Sequence, residues 1–481
     1  MIQVQLNERN YEYDIHSLVK AFFPKEEVQV SAEVKVLAEP PSFFMEIIYG
    51  HEPDEILIRL NGEKQRQIPV EYKDRPETKN RLKQALYETL SAYTKVMLPW
   101  GTLTGIRPTK IPMAFLQKGK SEDWIRRYMK EMYFASEEKI GLCLEVAKRE
   151  AALLKRLDYQ KGYSLYLGIP FCPSTCLYCS FTSYPLGVWE SQVEEYLKAL
   201  EQEILFTADI YREKKLNTVY IGGGTPTTLT PKQLDWLLTR VEETFSFDHL
   251  LEYTVEAGRP DSITEEKLEV LRQHGISRIS INPQTMKQAT LDLIGRRHTV
   301  EQTVESFRLA RKMGFDNINM DLIVGLPEED LSDVSRTMEQ IKALEPDSLT
   351  VHSLAIKRAS RLRMNWEAYE DLSMVNTWEI IRLTAQAARE MRLSPYYLYR
   401  QKNMAGNFEN VGYAREGAEG LYNILIMEEV QTIVACGAGS ISKRVYPDGR
   451  IERCENVKDV ALYIQKIDEM IERKRKLLTD F

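Results

Sequence analysis

The stretch Gly168-Ile-Pro-Phe-Cys-Pro-Ser-Thr-Cys-Leu-Tyr-Cys-Ser-Phe181 sets Cys172, Cys176 and Cys179 in a C-x3-C-x2-C spacing on one short loop. Three thiolates on such a loop can hold three irons of a 4Fe-4S cluster, which leaves the fourth iron without a protein ligand and open to a small molecule. A closed structural zinc site needs a fourth ligand, and no His or Cys follows at zinc-finger spacing. The apolar run Tyr163 to Ile169 enters the loop as a strand, so the cysteines stand at a strand's carboxyl end.

Outward from this loop the same strand, loop and helix unit repeats. Strands are expected at Tyr163 to Ile169, Thr218 to Gly222, Glu252 to Ala257, Ser277 to Asn282, Asn317 to Val324 and Ser348 to His352, with amphipathic helices between them. Strict alternation implies a parallel sheet with right-handed crossovers, and such barrels gather their sites at the carboxyl ends of the strands. The second strand ends on Gly222-Gly223-Gly224-Thr225-Pro226. Glycines there let backbone approach a ligand closely and leave polar backbone groups to it.

The cysteine loop and the triple glycine, at this separation, resemble the two leading motifs of the radical S-adenosylmethionine superfamily. More narrowly, the chain resembles the oxygen-independent coproporphyrinogen III dehydrogenase group and its HemZ-type branch, over roughly residues 160 to 440. The resemblance implies an α/β fold: a partial (β/α)6, TIM-like radical SAM barrel with an N-terminal α+β module and a C-terminal α/β extension. It implies a 4Fe-4S cluster on Cys172, Cys176 and Cys179, and S-adenosylmethionine on the open iron. Reductive cleavage of that cofactor gives a 5'-deoxyadenosyl radical, so the cofactors carry the difficult chemistry. Carried over position by position, the cofactor contacts are Tyr166, Gly223, Gly224, Thr225, Glu256, Gln284, Arg296, Asp321, Ile323 and Ala355. Arg296 would pair with the methionyl carboxylate, and Asp321 would bind the ribose.

The activity so implied is anaerobic oxidative decarboxylation of coproporphyrinogen III propionates to vinyl groups, giving protoporphyrinogen IX in haem biosynthesis, with an electron donor and acceptor still to be identified. Two positions depart from the dehydrogenase pattern. Gly168 replaces a His, and Phe181 replaces a fourth Cys as in the related haem-chaperone branch. A haem-binding chaperone, with Cys436 or His352 as ligand, is therefore the alternative. A substrate with four propionates would need cations at the barrel mouth, for which the run Lys357 to Arg363, Arg259 and Arg297 are candidates.

Hydrophobic content of 43% and charge of 28% describe a globular chain, and its 481 residues suffice for two or three domains. The expected boundaries are 1–158 for an accessory module, 159–392 for the barrel and 393–481 for the extension. Short strands are expected at Ile2 to Leu6, Val28 to Leu37, Phe43 to Tyr49, Glu55 to Leu60 and Gln67 to Tyr72, then helices at Glu77 to Val96 and Ser136 to Leu157. Between those helices, the turn-rich segment Leu98 to Lys110 reads as an ordered linker docking through Trp100 rather than a catalytic loop. The charged helix Val457 to Leu478 reads as a solvated cap. No apolar run reaches transmembrane length, the amino terminus lacks a signal-peptide pattern, and Cys143, Cys436 and Cys454 form no disulfide framework, so a cytoplasmic protein is expected. The net charge of -7 and the lack of a basic stripe argue against nucleic acid as partner, and against an RNA-modifying radical enzyme.

Overall fold

The computed structural model describes residues 1–24, 26–33, 42–369, 371–401 and 408–479. They form two compact units, Met1–Lys148 and Arg149–Phe481. No helix among the described residues is long and apolar enough to cross a membrane.

The first unit is a five-stranded sheet of β1 (Ile2–Leu6), β2 (Val28–Ser31), β3 (Phe43–His51), β4 (Asp54–Leu60) and β5 (Glu63–Pro69), in the order β2-β1-β3-β4-β5. β1 and β3 alternate buried and half-buried residues, as a sheet with one covered face requires. β1 runs parallel to both β2 and β3. The β1 to β2 connection is the helix Glu12–Phe22, which buries Ile15, Leu18, Val19 and Phe22. The sequence reading missed this helix, although the four residues keep a helical spacing. It is short, starts on Tyr11 in a left-handed conformation and has no side-chain cap, so the usual start signals are missing. The tail of the expected second strand and Pro40-Pro41 lie outside the described residues. Within the 98–110 segment Trp100 is fully buried, and the neighbouring backbone is pinned by Thr102 N–H to Tyr133 O at 2.8 Å.

The second unit is built on one eleven-stranded sheet. Its parallel centre follows chain order: β6 (Gly162–Ile169), β9 (Lys215–Gly223), β10 (Glu252–Glu256), β11 (Arg278–Ser280), β12 (Ile318–Val324) and β13 (Ser348–Ser353). These are the six strands expected of the partial barrel. Between β6 and β9, the short β7 (Phe171–Cys172) and β8 (Tyr184–Pro185) pair with each other and bracket the cysteine loop. Three of the crossover helices start on firm signals, the capping boxes at Thr230, Thr299 and Asp330.

Both flanks of the parallel centre come from residues after 392. β14 (Ser394–Tyr399) and β15 (Asn410–Ala414) add beside β13, with β15 antiparallel to it. β16 (Thr432–Cys436) lies parallel to β6, followed by the antiparallel β17 (Ile441–Val445) and β18 (Ile451–Glu455). The carboxyl-terminal residues thus continue the barrel sheet at both ends. The solvated cap is corrected as well. The helix Ile467–Leu478 buries Ile467, Met470, Lys474, Leu477 and Leu478. Its Lys474 is drawn inward because Glu203 lies fully buried opposite it, where a lone carboxylate would be costly.

Candidate functional site

Strand register brings the expected residues to one end of the sheet. Ile169, which ends β6, pairs with Gly223, which ends β9, and Glu256, which ends β10, pairs with Ser280 on β11. The chain then passes from β6 straight into the cysteine loop. Two neighbouring segments hold that loop. Ser174 Oγ donates to Gly295 O at 2.8 Å, Leu177 N–H donates to Ile294 O at 2.9 Å, and Leu362 N–H donates to Leu177 O at 2.9 Å.

Each cysteine sulfur has a polar neighbour able to donate to it. Thr225 Oγ1 lies 3.5 Å from Cys172 Sγ, Arg259 Nη1 lies 3.6 Å from Cys176 Sγ, and Ser183 Oγ lies 4.0 Å from Cys179 Sγ. Donors aimed at sulfur support thiolate ligands and tune a metal centre. Burial pushes the Cys172 thiol up to about 12, against a bond from Thr225, and burial also raises Cys179. Buried thiols of this kind ionise when a metal takes the proton's place. Among the described residues no three His, Cys, Asp or Glu side chains are grouped to hold a single metal ion. Three thiolates on one loop supply ligands for three irons of a cluster, whereas a closed zinc site takes a fourth protein ligand, so the donor set fits a cluster better than mononuclear zinc.

The triple glycine braces this loop. Gly224 N–H donates to Ile169 O at 2.8 Å, and Thr225 N–H donates to Phe171 O at 2.7 Å. A Cβ on Gly224 would lie 2.6 Å from Phe171 O, so only glycine permits the approach. Gly223 has a φ of 107°, which also favours glycine, and its N–H bonds the Glu256 carboxylate. Of the polar backbone groups expected to serve a ligand here, the three N–H groups are engaged within the protein, which leaves the carbonyl and Cα surfaces.

Glu256 is half-buried, accepts a hydrogen bond from Tyr220 Oη, and its carboxyl is pushed up to about 7, chiefly by desolvation and against the Tyr220 bond. Tyr166 and Tyr220 stack with centroids 6.2 Å apart, and Tyr422 stacks on Tyr220 at 4.5 Å. Tyr422 comes from the helix Leu421–Glu428, far along the chain, and no local sequence signal links it to the site.

The connection that follows β11 carries buried polar groups without protein partners. Gln284 Oε1, Asn282 Oδ1 and Arg296 Nε are buried and unsatisfied within the protein. Gln284 also has a φ of 67°, costly for a side chain of its size, while its N–H bonds Asp321 O and its carbonyl accepts from Ile323 N–H, both at 2.9 Å. A buried polar cradle of this kind suits a polar ligand. Asp321 accepts from Asn319 Nδ2 at 2.7 Å and lies 3.9 Å from His352 Nε2. Burial acts to raise its carboxyl, but the nearby His352 and the bonds from Asn319 and Thr350 hold it below the usual range. Ile323 packs in an apolar cluster with Leu177, Leu326 and Leu354, and Ala355 follows β13 half-buried.

Two expectations fail on this geometry. Arg259 is buried, pairs with Asp261 at 2.7 Å and faces Cys176, so it serves the cysteine loop and not substrate propionates. Cys436 is fully buried with its sulfur 3.5 Å from Thr207 Oγ1, which leaves no access for haem. Arg296 is the intermediate case: Nη1 is tied to the Asn282 carbonyl and the guanidinium also bonds Cys176, while Nε is without a partner in the protein. The buried His298, with Asp261 at 4.0 Å, was not foreseen behind the loop.

Residues 166–341 match the family model of the radical SAM superfamily. The Bacillus subtilis oxygen-independent coproporphyrinogen-III oxidase-like protein HemZ is 42% identical over 407 residues, covering 84% of this chain and 81% of that one. The heme chaperone HemW of the same organism is 37% identical over 195 residues, 40% of this chain and 51% of its own. The solved structure of Escherichia coli coproporphyrinogen III oxidase HemN superposes with a TM-score of 0.51 at 23% identity, covering 67% of this chain and 73% of that one. Members of the superfamily bind a 4Fe-4S cluster and S-adenosylmethionine, and the cysteine loop supplies the thiolates that such a cluster requires. The chain belongs to the radical SAM superfamily and, within it, to the HemZ family of oxygen-independent coproporphyrinogen-III oxidase-like proteins.

Proposed function

We propose that the protein is a cytoplasmic radical enzyme of haem biosynthesis that converts coproporphyrinogen III propionates to vinyl groups. The observation that carries this reading is the set of unsatisfied buried groups, Gln284 Oε1, Asn282 Oδ1 and Arg296 Nε, beside a loop of three sulfur-donor pairs. In this reading Cys172, Cys176 and Cys179 hold the cluster. Tyr166, Gly223, Gly224, Thr225, Glu256, Gln284, Arg296, Asp321, Ile323 and Ala355 form the S-adenosylmethionine site. When bound, these groups supply a carbon-centred radical able to take a substrate hydrogen. The protein's own part is positional: Glu256 receives an ammonium group, Asp321 is kept ionised to accept ribose hydroxyls, and the stacked tyrosines exclude water. In this reading the propionate gives up a β-hydrogen atom to that radical, then carbon dioxide and one electron, the electron passing to an external one-electron acceptor, and a vinyl group is left. The names of the HemZ relative and the HemN structure support the porphyrinogen substrate.

The test is anaerobic turnover of the reconstituted protein with dithionite, S-adenosylmethionine and coproporphyrinogen III. Protoporphyrinogen formed together with 5'-deoxyadenosine is the expected result. Cofactor cleavage without a vinyl product, combined with stoichiometric haem binding, would favour the chaperone reading that Phe181 and the HemW similarity support.

A further inference from the structure

We propose that the outward face of residues 357–364, with Phe181, is the docking surface for an acidic one-electron carrier protein that reduces the cluster. The inference rests on the cluster reading of Cys172, Cys176 and Cys179. After β13 the chain returns to the cysteine loop and lies against it. Leu354 and Leu362 pack into the same apolar cluster as Leu177, while Arg361 Nη1 donates to Thr175 O at 3.3 Å, between two of the cysteines. The inner side of the segment is thus filled by leucines, and its charges are left on the solvent side.

Lys357, Arg358, Arg361 and Arg363 supply four positive charges, and no acidic residue occurs from 354 to 366. Among the described residues none of the four forms an ion pair with a carboxylate. Arg358, Arg361 and Arg363 are exposed, whereas the half-buried Lys357 holds its ammonium 5.6 Å from the Phe181 ring. Phe181, two residues after Cys179, is 71% exposed, and Met364 is 71% exposed. Apolar side chains among unpaired arginines have the composition of a protein interface. The whole chain carries a net charge of -7, so this patch opposes the prevailing sign. An acidic partner is repelled elsewhere and steered here, where the cluster loop reaches the surface.

The same cations could be imagined holding propionates. Leu354 and Leu362 pack with Leu177 of the cysteine loop while Arg358 and Arg363 stay exposed, which favours a large partner over a buried ligand. The step itself is simple: the reduced carrier gives one electron to the oxidised cluster and departs oxidised by one electron, with no bond made or broken.

The experiment is anaerobic stopped-flow reduction of the full-length reconstituted protein by flavodoxin hydroquinone, with dithionite as the small-molecule comparison. For Arg358→Glu/Arg363→Glu the second-order rate with flavodoxin should fall about tenfold or more, while reduction by dithionite and the cluster midpoint potential stay unchanged. The wild-type rate should fall between about 50 and 300 mM salt, and Arg358→Lys/Arg363→Lys should keep most of it. An unchanged flavodoxin rate would overturn the proposal, as would equal losses with both reductants. Weaker porphyrinogen binding with normal electron transfer would assign the patch to substrate instead. A wild-type chain that takes up no cluster would remove the cofactor reading, and this surface with it.

Discussion

Arg259 shows how a single side chain can take a role its sequence position does not announce. Its guanidinium is held by both oxygens of Asp261, at 2.9 and 2.7 Å, and by Ser174 Oγ at 3.1 Å, and so it is aimed at Cys176 Sγ. A buried cation donating to a ligand sulfur stabilises the more negative, reduced cluster. Arg259→Met should therefore lower the midpoint potential by on the order of tens of millivolts, with Arg259→Lys intermediate, in an EPR-monitored redox titration. Glu256 gives a second residue-scale prediction. Its folded value of about 7 stands above the reference 4.5, so the folded state keeps a proton that the unfolded chain has released. The contribution of this group to stability is full below the unfolded value and is lost as pH rises toward 7. In the cluster-free protein Glu256→Gln should thus be more stable than wild type at pH 8, by at most about 3 kcal/mol, with little difference near pH 4.5. Denaturant melts at the two pH values measure this, and equal shifts at both would refute it. Cys176→Ala should abolish iron uptake, read from the cluster absorbance.

At the scale of elements, the strand-end glycines and the last helix carry the constraints. A methyl group on Gly224 would press into the carbonyls of Phe171 and Ile169 at 2.6 and 2.9 Å, both main chain and unable to yield cheaply. Gly224→Ala should therefore shift the cysteine loop and reduce cluster content on reconstitution, while secondary structure by circular dichroism stays near wild type. The helix Ile467–Leu478 is fixed through Lys474, which contacts Glu203 in the fully buried core. Glu203 also accepts from Asn456 Nδ2 and Gly437 N–H, each at 2.7 Å, and from Tyr463 Oη at 2.6 Å. Lys474→Met leaves that carboxylate without a countercharge and should cost about 3 kcal/mol, the lower end for a broken buried pair because three donors remain. Adding Glu203→Gln should recover part of the loss in a thermal melt. The patterned charge of this helix had suggested full solvation, because the sequence alone does not show that a buried acid awaits one of its lysines.

For the whole molecule the decisive feature is that residues after 392 supply both flanks of the sheet. Deleting 431–481 would strip β16 from β6, expose the edge of the strand that feeds the cysteine loop, and leave Glu203 without Lys474. Such a chain should aggregate or elute as soluble oligomers in size-exclusion chromatography; a monomer with wild-type cluster content would contradict this. The sequence by itself determined the six parallel strands, the cysteine loop and the glycine turn, because each rests on local patterning: apolar runs, capping residues and motif spacing over a few residues. It also placed Glu256 at the carboxyl end of its strand, since a strand's end is a local property. Only the tertiary structure decided which N–H groups the glycines give up, that Arg259 faces sulfur, that Tyr422 stacks into the barrel and that Cys436 is sealed from any ligand. Those outcomes depend on contacts between segments far apart in the chain, where burial and hydrogen-bond partners are settled by the packing of the sheet as a whole.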